Sequence, residues 1–441
     1  MKRRDFTRLS AAALTGLTVP HPLWAAGGGH EQQSLSIDPS RLTERMRTLA
    51  SFGQNDAGGI DRVAFSDANL EALDWVSGLL GEAGFYTPVD VAGNLIGRKA
   101  GTNNTLLPLI FGSHIDSVPG GGNFDGQVGS MGSVEVATVL ASAGHTTRHP
   151  IQVAIFSNEE GGKTGSRALA GEVEPFELEI QTASGYTIGE GLRRLGGDPD
   201  RLAEVRRGEG SHTAFLELHI EQGAVMDTDG YDIGVVEGIV GIMRWNVTVR
   251  GATNHAGTTP MDRRSDAMVG AARFIDLAHR TAREMPGRQV ATVGRLEAEP
   301  GAPNVIPGLV RMTLEIRDLT MNGIQNTFDS IRLGVDSVAD ESSVSFSFER
   351  FYTSRAAPTD ERIRDIIQNE SSSLGLDARR MPSGAGHDAQ SMALLGPVGM
   401  IFVPSIAGIS HAPEEHTADE DITNGTQVLL RTLLALDERG L

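Results

Sequence analysis

The chain contains no cysteine, so it has no disulfide framework and no thiolate metal site; any metal must be held by histidine and carboxylate. It also lacks an excess of positive charge. The 57 acidic residues outnumber the 38 basic ones, and the formal charge of −19 repels nucleic acid and anionic membrane surfaces alike. A polyanion is therefore not expected as a partner. No apolar run near the N-terminus is long enough to cross a bilayer, the run over residues 11–19 being far too short. What is plentiful is glycine, 54 of 441 residues, well above the usual share of about 7%. Much of it lies in loops between apolar runs, where turns and close backbone approach need it. A 39% hydrophobic content describes an ordinary soluble globular protein, and the length suits two domains.

The first residues carry Lys2, Arg3, Arg4 and Arg8, then the short apolar run, then small residues at Ala25-Ala26-Gly27. That order is a secretory signal, and Arg3-Arg4 followed by Phe6 resembles the twin-arginine export signal of bacteria. Residues 1–26 are read as that leader, with a periplasmic or exported destination and no membrane attachment once it is removed.

The chain is organised around residues 112–126, GSHIDSVPGGGNFDG, which deliver His114, Asp116 and Asp125 after an apolar strand over 106–111. One imidazole and two carboxylates at a strand end can hold a divalent metal, although an HxD pair alone is more often a hydrogen-bonded structural pair. Two later strands end in similar chemistry. The strand 151–156 runs into Ser157-Asn158-Glu159-Glu160-Gly161-Gly162, and the strand 214–220 carries His219 just before Glu221-Gln222-Gly223. Adjacent carboxylates such as Glu159 and Glu160 are costly to bury ionised without a cation nearby. Three strand ends bearing His114 with Asp125, Glu159 with Glu160, and His219 converge on one metal centre more readily than on three separate accidents.

Around these strands the periodicity predicts helices over 39–52 and 67–83, short β segments at 87–91 and 94–98, and a small-residue helix over 129–142. Residues 172–212 are polar and carry no evident chemistry. From 238 the pattern changes to strand 239–250, helix 265–284 with a Met268, Ala271, Ala272, Ile275, Ala278, Ala282 stripe, strands 289–296 and 309–318, helix 322–339 and strand 343–351. This β-α-β-β-α-β order is the ferredoxin-like split motif, and it predicts an inserted domain over 238–352. The first domain, 38–237, then resumes over 353–441 with helix 359–374, a strand over 400–404 and a C-terminal helix.

Taken together, GSHIDSVPGGGNFDG, SNEEGG, ELHIEQG, GATNHAGTTPMDRRSDA, PNVIPG, EIRD, SGAGHDAQ and ISHAPEEHT resemble, in order and spacing, the N-carbamoyl-L-amino-acid hydrolase and allantoate amidohydrolase family. This is a branch of the two-metal aminoacylase and carboxypeptidase superfamily, and the resemblance covers nearly all of the chain after the leader. It implies an α/β fold: a mixed-sheet, zinc-peptidase-like catalytic domain with an inserted ferredoxin-like lid and dimerisation domain. It implies two divalent ions per subunit, zinc, manganese, cobalt or nickel, one on His114 and His219, the other on Glu160 and His411, with Asp125 bridging. Asp116 would fix the tautomer of His114, Glu159 would be the general base, and His387 and His416 would not be ligands. Gln222, His255, Asn304 and Arg317 would bind substrate, His255 reaching across a homodimer to the oxyanion. The implied reaction is hydrolysis of the ureido C–N bond of an N-carbamoyl-L-amino acid. Allantoate or a related ureide is the alternative substrate, and a non-catalytic periplasmic ureide or amino-acid binding protein is a further alternative.

Overall fold

The computed structural model describes residues 35–441; the leader expected over residues 1–26 lies outside them. The strands, in chain order, are β1 (Leu95–Lys99), β2 (Leu109–His114), β3 (Ile151–Phe156), β4 (Ala214–Ile220), β5 (Ile233–Ile239), β6 (Gly241–Arg250), β7 (Asn254–His255), β8 (Val290–Glu299), β9 (Val305–Ile306), β10 (Leu309–Asp318), β11 (Ser345–Ser354), β12 (Ala357–Pro358), β13 (Ala378–Ser383) and β14 (Val398–Val403). The larger sheet runs β1-β3-β2-β4-β14-β5-β12, with β13 joined to β5. Its centre, β3-β2-β4-β14, is parallel, and the flanking pairs β1 with β3 and β14 with β5 are antiparallel. The fold is thus α/β with a mixed sheet.

Central parallel strands are covered on both faces, which is why they read as unbroken apolar runs. Every residue of β2, β4 and β14 is buried. Side chains such as Phe111, Phe215 and Phe402 lie in this layer, each burial contributing about 1.5–3 kcal/mol. The helix Gln127–Ser142 lies directly on the sheet. A Cβ on Gly129 would sit 2.0 Å from the Leu218 carbonyl oxygen, so the small residues of this helix permit its close approach. Glu135 on the same helix is fully buried and clamped by Arg41 and Arg45 from the helix Pro39–Ser51.

The segment from β6 to β11 builds a second sheet, ordered β11-β6-β10-β8, with every neighbouring pair antiparallel. Met243, Trp245, Val247 and Val249 of β6 face a core shared with the helices Ala267–Glu284 and Met321–Ser342. Trp245 stacks on Phe328 with ring centroids 4.1 Å apart. The element order and sheet order are those of the split β-α-β motif.

Several expectations are corrected. The strand expected over 239–250 begins at Gly241; Ile239 instead closes β5, an unexpected strand of the larger sheet whose apolar pattern Gly234 and Gly238 interrupt. Residues 87–91 make only an isolated bridge, Val89 to Leu95. Strand β2 begins at Leu109, after Pro108, and extends to His114. The buried face of Ala267–Glu284 is Ala267, Gly270, Ala271, Phe274 and Ala278, while Met268 is exposed. Phe274, packed against Phe346 and Phe348, sets the rotation that the alanines alone could not.

Candidate metal centre and active site

His114, the last residue of β2, and His219, next to last in the parallel neighbour β4, both lie at the carboxyl end of the sheet, where open α/β sheets form their sites. Asp125 comes from the glycine loop after β2. Its Oδ1 is 3.2 Å from His219 Nε2 and 3.8 Å from His114 Nε2, while its Oδ2 is 3.0 Å from His411 Nε2. His411 Nε2 is in turn 3.6 Å from Glu160 Oε2. Two donor groups therefore meet at one carboxylate: His114, His219 and Asp125 on one side, Glu160, His411 and Asp125 on the other. Each oxygen of Asp125 faces a different group, an arrangement that fits two divalent cations sharing a bridging ligand.

The remaining ring nitrogens are already engaged. His114 Nδ1 is 3.1 Å from the Asp116 carbonyl oxygen and His219 Nδ1 is 2.9 Å from that of Ile220, so in each ring Nδ1 carries the proton and Nε2 is left as the donor. Asp116 thus fixes the tautomer of His114 as expected, through its backbone carbonyl, its carboxylate Oδ1 lying farther off at 3.6 Å from the same nitrogen. The Asp116 carboxylate instead accepts the backbone N–H groups of Glu159 and Glu160 at 3.3 and 3.2 Å, orienting the turn that presents both glutamates. Gly126 has φ +79°, and a Cβ there would fall 2.2 Å from His114 Nε2, so only glycine leaves this histidine its space.

Electrostatics point the same way. Burial pushes the Glu160 carboxyl up to about 8, with the Asp125 carboxylate adding to it. Burial likewise raises Glu159, whose Oε2 lies 3.8 Å from His114 Nε2. Against burial, the His219 and His411 rings hold Asp125 well below the usual carboxylate range. Crowded carboxylates with imidazoles among them are the charge distribution that a dication relieves.

A second buried group, Glu217, His219 and His387, also has donor atoms close together. Its members are satisfied by the protein itself. Glu217 accepts from Ser113 Oγ at 2.8 Å and Ala389 N at 2.9 Å, and His387 Nε2 is 2.7 Å from Ser383 Oγ. It supports His219 from beneath, with the His387 ring 4.4 Å from that of His219. His416 is exposed and packs edge-on against Phe124, away from both donor groups.

The expected substrate residues fall into two sets. Gln222 is at the centre: its Nε2 donates to Asp125 Oδ2, and its Oε1 is buried without a partner. The other three are on the second sheet or beside it. His255 is exposed on the two-residue ribbon β7–β9, where Asn304 O accepts from Ala256 N at 3.0 Å. His255 Nδ1 accepts from the backbone N–H groups of Gly257 and Thr258 at 3.0 and 3.2 Å, so its Nε2 bears the proton and can donate. Arg317 Nε pairs with Glu315 at 2.7 Å and its Nη1 donates to the Gly384 carbonyl at 2.6 Å. None of these three is hydrogen-bonded to the centre.

Two features escaped the sequence. Glu415, buried, accepts Phe124 N and Asp125 N on one oxygen at 2.9 and 3.0 Å, and Ser410 Oγ and His411 N on the other at 2.9 and 3.1 Å. It joins the loops of two expected ligands; only its spacing four residues after His411 could have hinted at this. The second feature is backbone strain. Asn158, Lys163, Gln222 and His411 are non-glycine residues with φ between 51° and 59°, gathered at one site. Such conformations cost of order 1–3 kcal/mol each and gather where function demands them.

Known proteins resemble this chain over most of its length. The model of peptidase family M20/M25/M40 matches residues 110–435. The chain is 39% identical over 405 residues to an N-carbamoyl-L-amino acid amidohydrolase of Geobacillus stearothermophilus, covering 91% of this chain and 99% of that one. It is 32% identical to an allantoate amidohydrolase of Escherichia coli, covering 90% and 97%. A solved amidase of the hydantoinase/carbamoylase family from Burkholderia multivorans superposes with a TM-score of 0.84 at 33% identity, covering 92% of this chain and all of that one. The protein is a hydrolase acting on C–N bonds, and it belongs to peptidase family M20/M25/M40, in the branch of the N-carbamoyl-L-amino-acid and allantoate amidohydrolases.

Proposed function

We propose that this hydrolase cleaves the ureido C–N bond of N-carbamoyl-L-amino acids, releasing the amino acid and a carbamate that decomposes to carbon dioxide and ammonia. The observation that carries the reading is Asp125, whose two oxygens face His114 with His219 and Glu160 with His411, beside the carboxyl of Glu159. Those donors suit two divalent cations, zinc, manganese, cobalt or nickel. When bound, such cations polarise a carbonyl oxygen and lower the pKa of water towards ~7.

The protein's own groups carry the proton and the substrate. Glu159 takes the proton of the attacking water and returns it to the departing nitrogen. Its burial raises the carboxyl, which strengthens it as the base of the first transfer. Gln222 Oε1, without a partner, accepts a ureido N–H. In a homodimer, His255 of the partner subunit donates its Nε2 proton to the tetrahedral oxyanion. Arg317 and Asn304 take the substrate carboxylate, the guanidinium fork matching two oxygens, when the second sheet acts as a lid over the centre. Export rests on Arg3-Arg4 and the short apolar run that follows, and would give the enzyme ureides outside the cytoplasm.

The test is ammonia release by metal-reconstituted protein from N-carbamoyl-L-amino acids, allantoate, N-acetyl amino acids and dipeptides. Turnover of the carbamoyl substrates above the rest, lost in Glu159→Gln with metal content unchanged, is the expected result. Preference for allantoate would replace the substrate while leaving the site; the likeness to allantoate amidohydrolase is what supports it as the second reading.

A further inference from the structure

Beside the metal centre lies a cavity of about 200 Å³ that shares a wall with it through Asp116 and Glu160. Its volume is far above the ~10–15 Å³ that a single water requires and below the ~300 Å³ of pockets that enclose a whole drug-sized ligand. It therefore suits one substituent of a small molecule. The walls are mainly apolar: Val63, Ala64, Val118 and Pro119 on one side, Ile180 and Ala183 on the other. Ile180 and Ala183 come from the polar excursion after β3, which otherwise has no part in the chemistry.

The polar groups lining the cavity are mostly engaged elsewhere. The Asp116 carboxylate holds the Glu159 and Glu160 amides, Ser117 Oγ donates to Ile60 O, and Thr182 Oγ1 donates to Tyr186 O. The exception on the inner side is Asn158, 2% exposed, whose Oδ1 is buried without a partner.

We propose that this cavity receives the side chain of the N-carbamoyl-L-amino acid and selects apolar side chains of medium size, such as leucine and methionine. The inference rests on the function proposed above and deepens it. On that reading the carbonyl is at the metal donors and the carboxylate at Arg317. The terminal ureido NH2 is too small and too polar to fill an apolar cavity. The substituent on the α-carbon is what remains.

The experiment measures kcat/KM of the metal-reconstituted full chain for N-carbamoyl derivatives of glycine, alanine, L-leucine, L-methionine, L-phenylalanine and L-glutamate. It is repeated with Ala183→Leu, which narrows the cavity from an exposed loop, and with Ile180→Ser, which removes apolar wall. Wild type is expected to favour leucine and methionine over glycine and glutamate by roughly 10-fold or more, the discrimination a few methylenes give. Ala183→Leu should lose about 10-fold on leucine and methionine and under about 2-fold on glycine. Ile180→Ser, at a position 47% exposed, should lower the same two substrates selectively, and it serves if the bulkier variant does not fold. A wild-type profile indifferent to side chain, or variants that scale all substrates equally, overturns the cavity assignment while leaving the reaction intact. Turnover of allantoate with none of the carbamoyl amino acids overturns the reaction, and this occupant with it.

Discussion

The carboxyl end of the larger sheet and the outer parts of the smaller one differ in how complete they are. His114, Asp125 and His219 are buried, their second ring nitrogens or backbone amides already held, and their donor atoms meet within one chain. His255 is exposed on a two-residue ribbon, Asn304 is exposed just before its second strand, and Arg317 is engaged by Glu315 and Gly384. The difference teaches that a donor set able to hold metal is built into the single chain, whereas the substrate capture proposed for His255, Asn304 and Arg317 needs a further step. The exposed His255 donor meets a substrate only if another surface comes to it, and the Arg317 fork must take a carboxylate in competition with Glu315.

The largest expected effect removes chemistry and spares the preformed half. Glu159→Gln should lower kcat by about 10²–10⁴-fold, the usual worth of a general base, with two metals per chain still found by elemental analysis. Loss of metal together with activity would make Glu159 a ligand and redraw the centre. Glu415→Gln attacks the preformed half itself, because an amide replaces a carboxylate that accepts four hydrogen bonds from two ligand loops. Metal affinity, read by competition with a chelator, should fall about 10–100-fold, as for other groups that orient ligands. Unchanged affinity would show that Asp125 and His411 hold their positions without it. Arg317→Ala tests the other half. It should raise KM about 10-fold or more, corresponding to the ~1.5–3 kcal/mol of a hydrogen bond to a charged group, and leave metal affinity untouched.

How much of this was legible follows the same division. The strands β2, β3, β4 and β14 announce themselves because burial on both faces leaves few polar positions, and the pattern at the ends of the first three marked His114, Glu159, Glu160 and His219. His411 needed family motifs, since it sits in a loop with φ +59° and no periodicity points to it. Strand β5 was hidden by its glycines, and the face of the helix Ala267–Glu284 by an alanine-rich sequence whose rotation only Phe274 fixes. Glu415 was unreadable for a different reason. Two of its four partners are backbone amides nearly 300 positions away, and sequence patterns carry no record of which carbonyl or amide a side chain will reach.

The smallest expected effect, and the one that most sharpens the contrast between the two halves, is in the pH dependence of stability without metal. Burial raises the Glu160 carboxyl to about 8, and the bond to Asp125 raises His411 to about 9. Both folded values lie above the ordinary ones, so both groups bind protons more tightly in the folded chain. Their contribution is complete below the ordinary values, about 4.5 for the carboxyl and 6.5 for the imidazole. It is lost as pH rises through 8 and 9. Metal binding has the opposite sign, because it requires Glu160 ionised and His411 neutral. Chelated protein should therefore melt progressively lower between pH 6.5 and 9, by a few kelvin, while the metal-loaded protein holds its melting temperature and its metal affinity rises over the same interval. Glu160→Gln should make the chelated curve shallower below about pH 8, leaving a reduced His411 slope, since the Glu160 charge helps to raise that imidazole. Arg317→Ala should leave the whole curve as it is, since that arginine belongs to the half that forms no part of the metal centre. A chelated protein whose melting temperature climbs with pH over this range would mean that Glu160 and His411 are not held against Asp125 in the metal-free chain, and that the preformed half is assembled by the metals themselves.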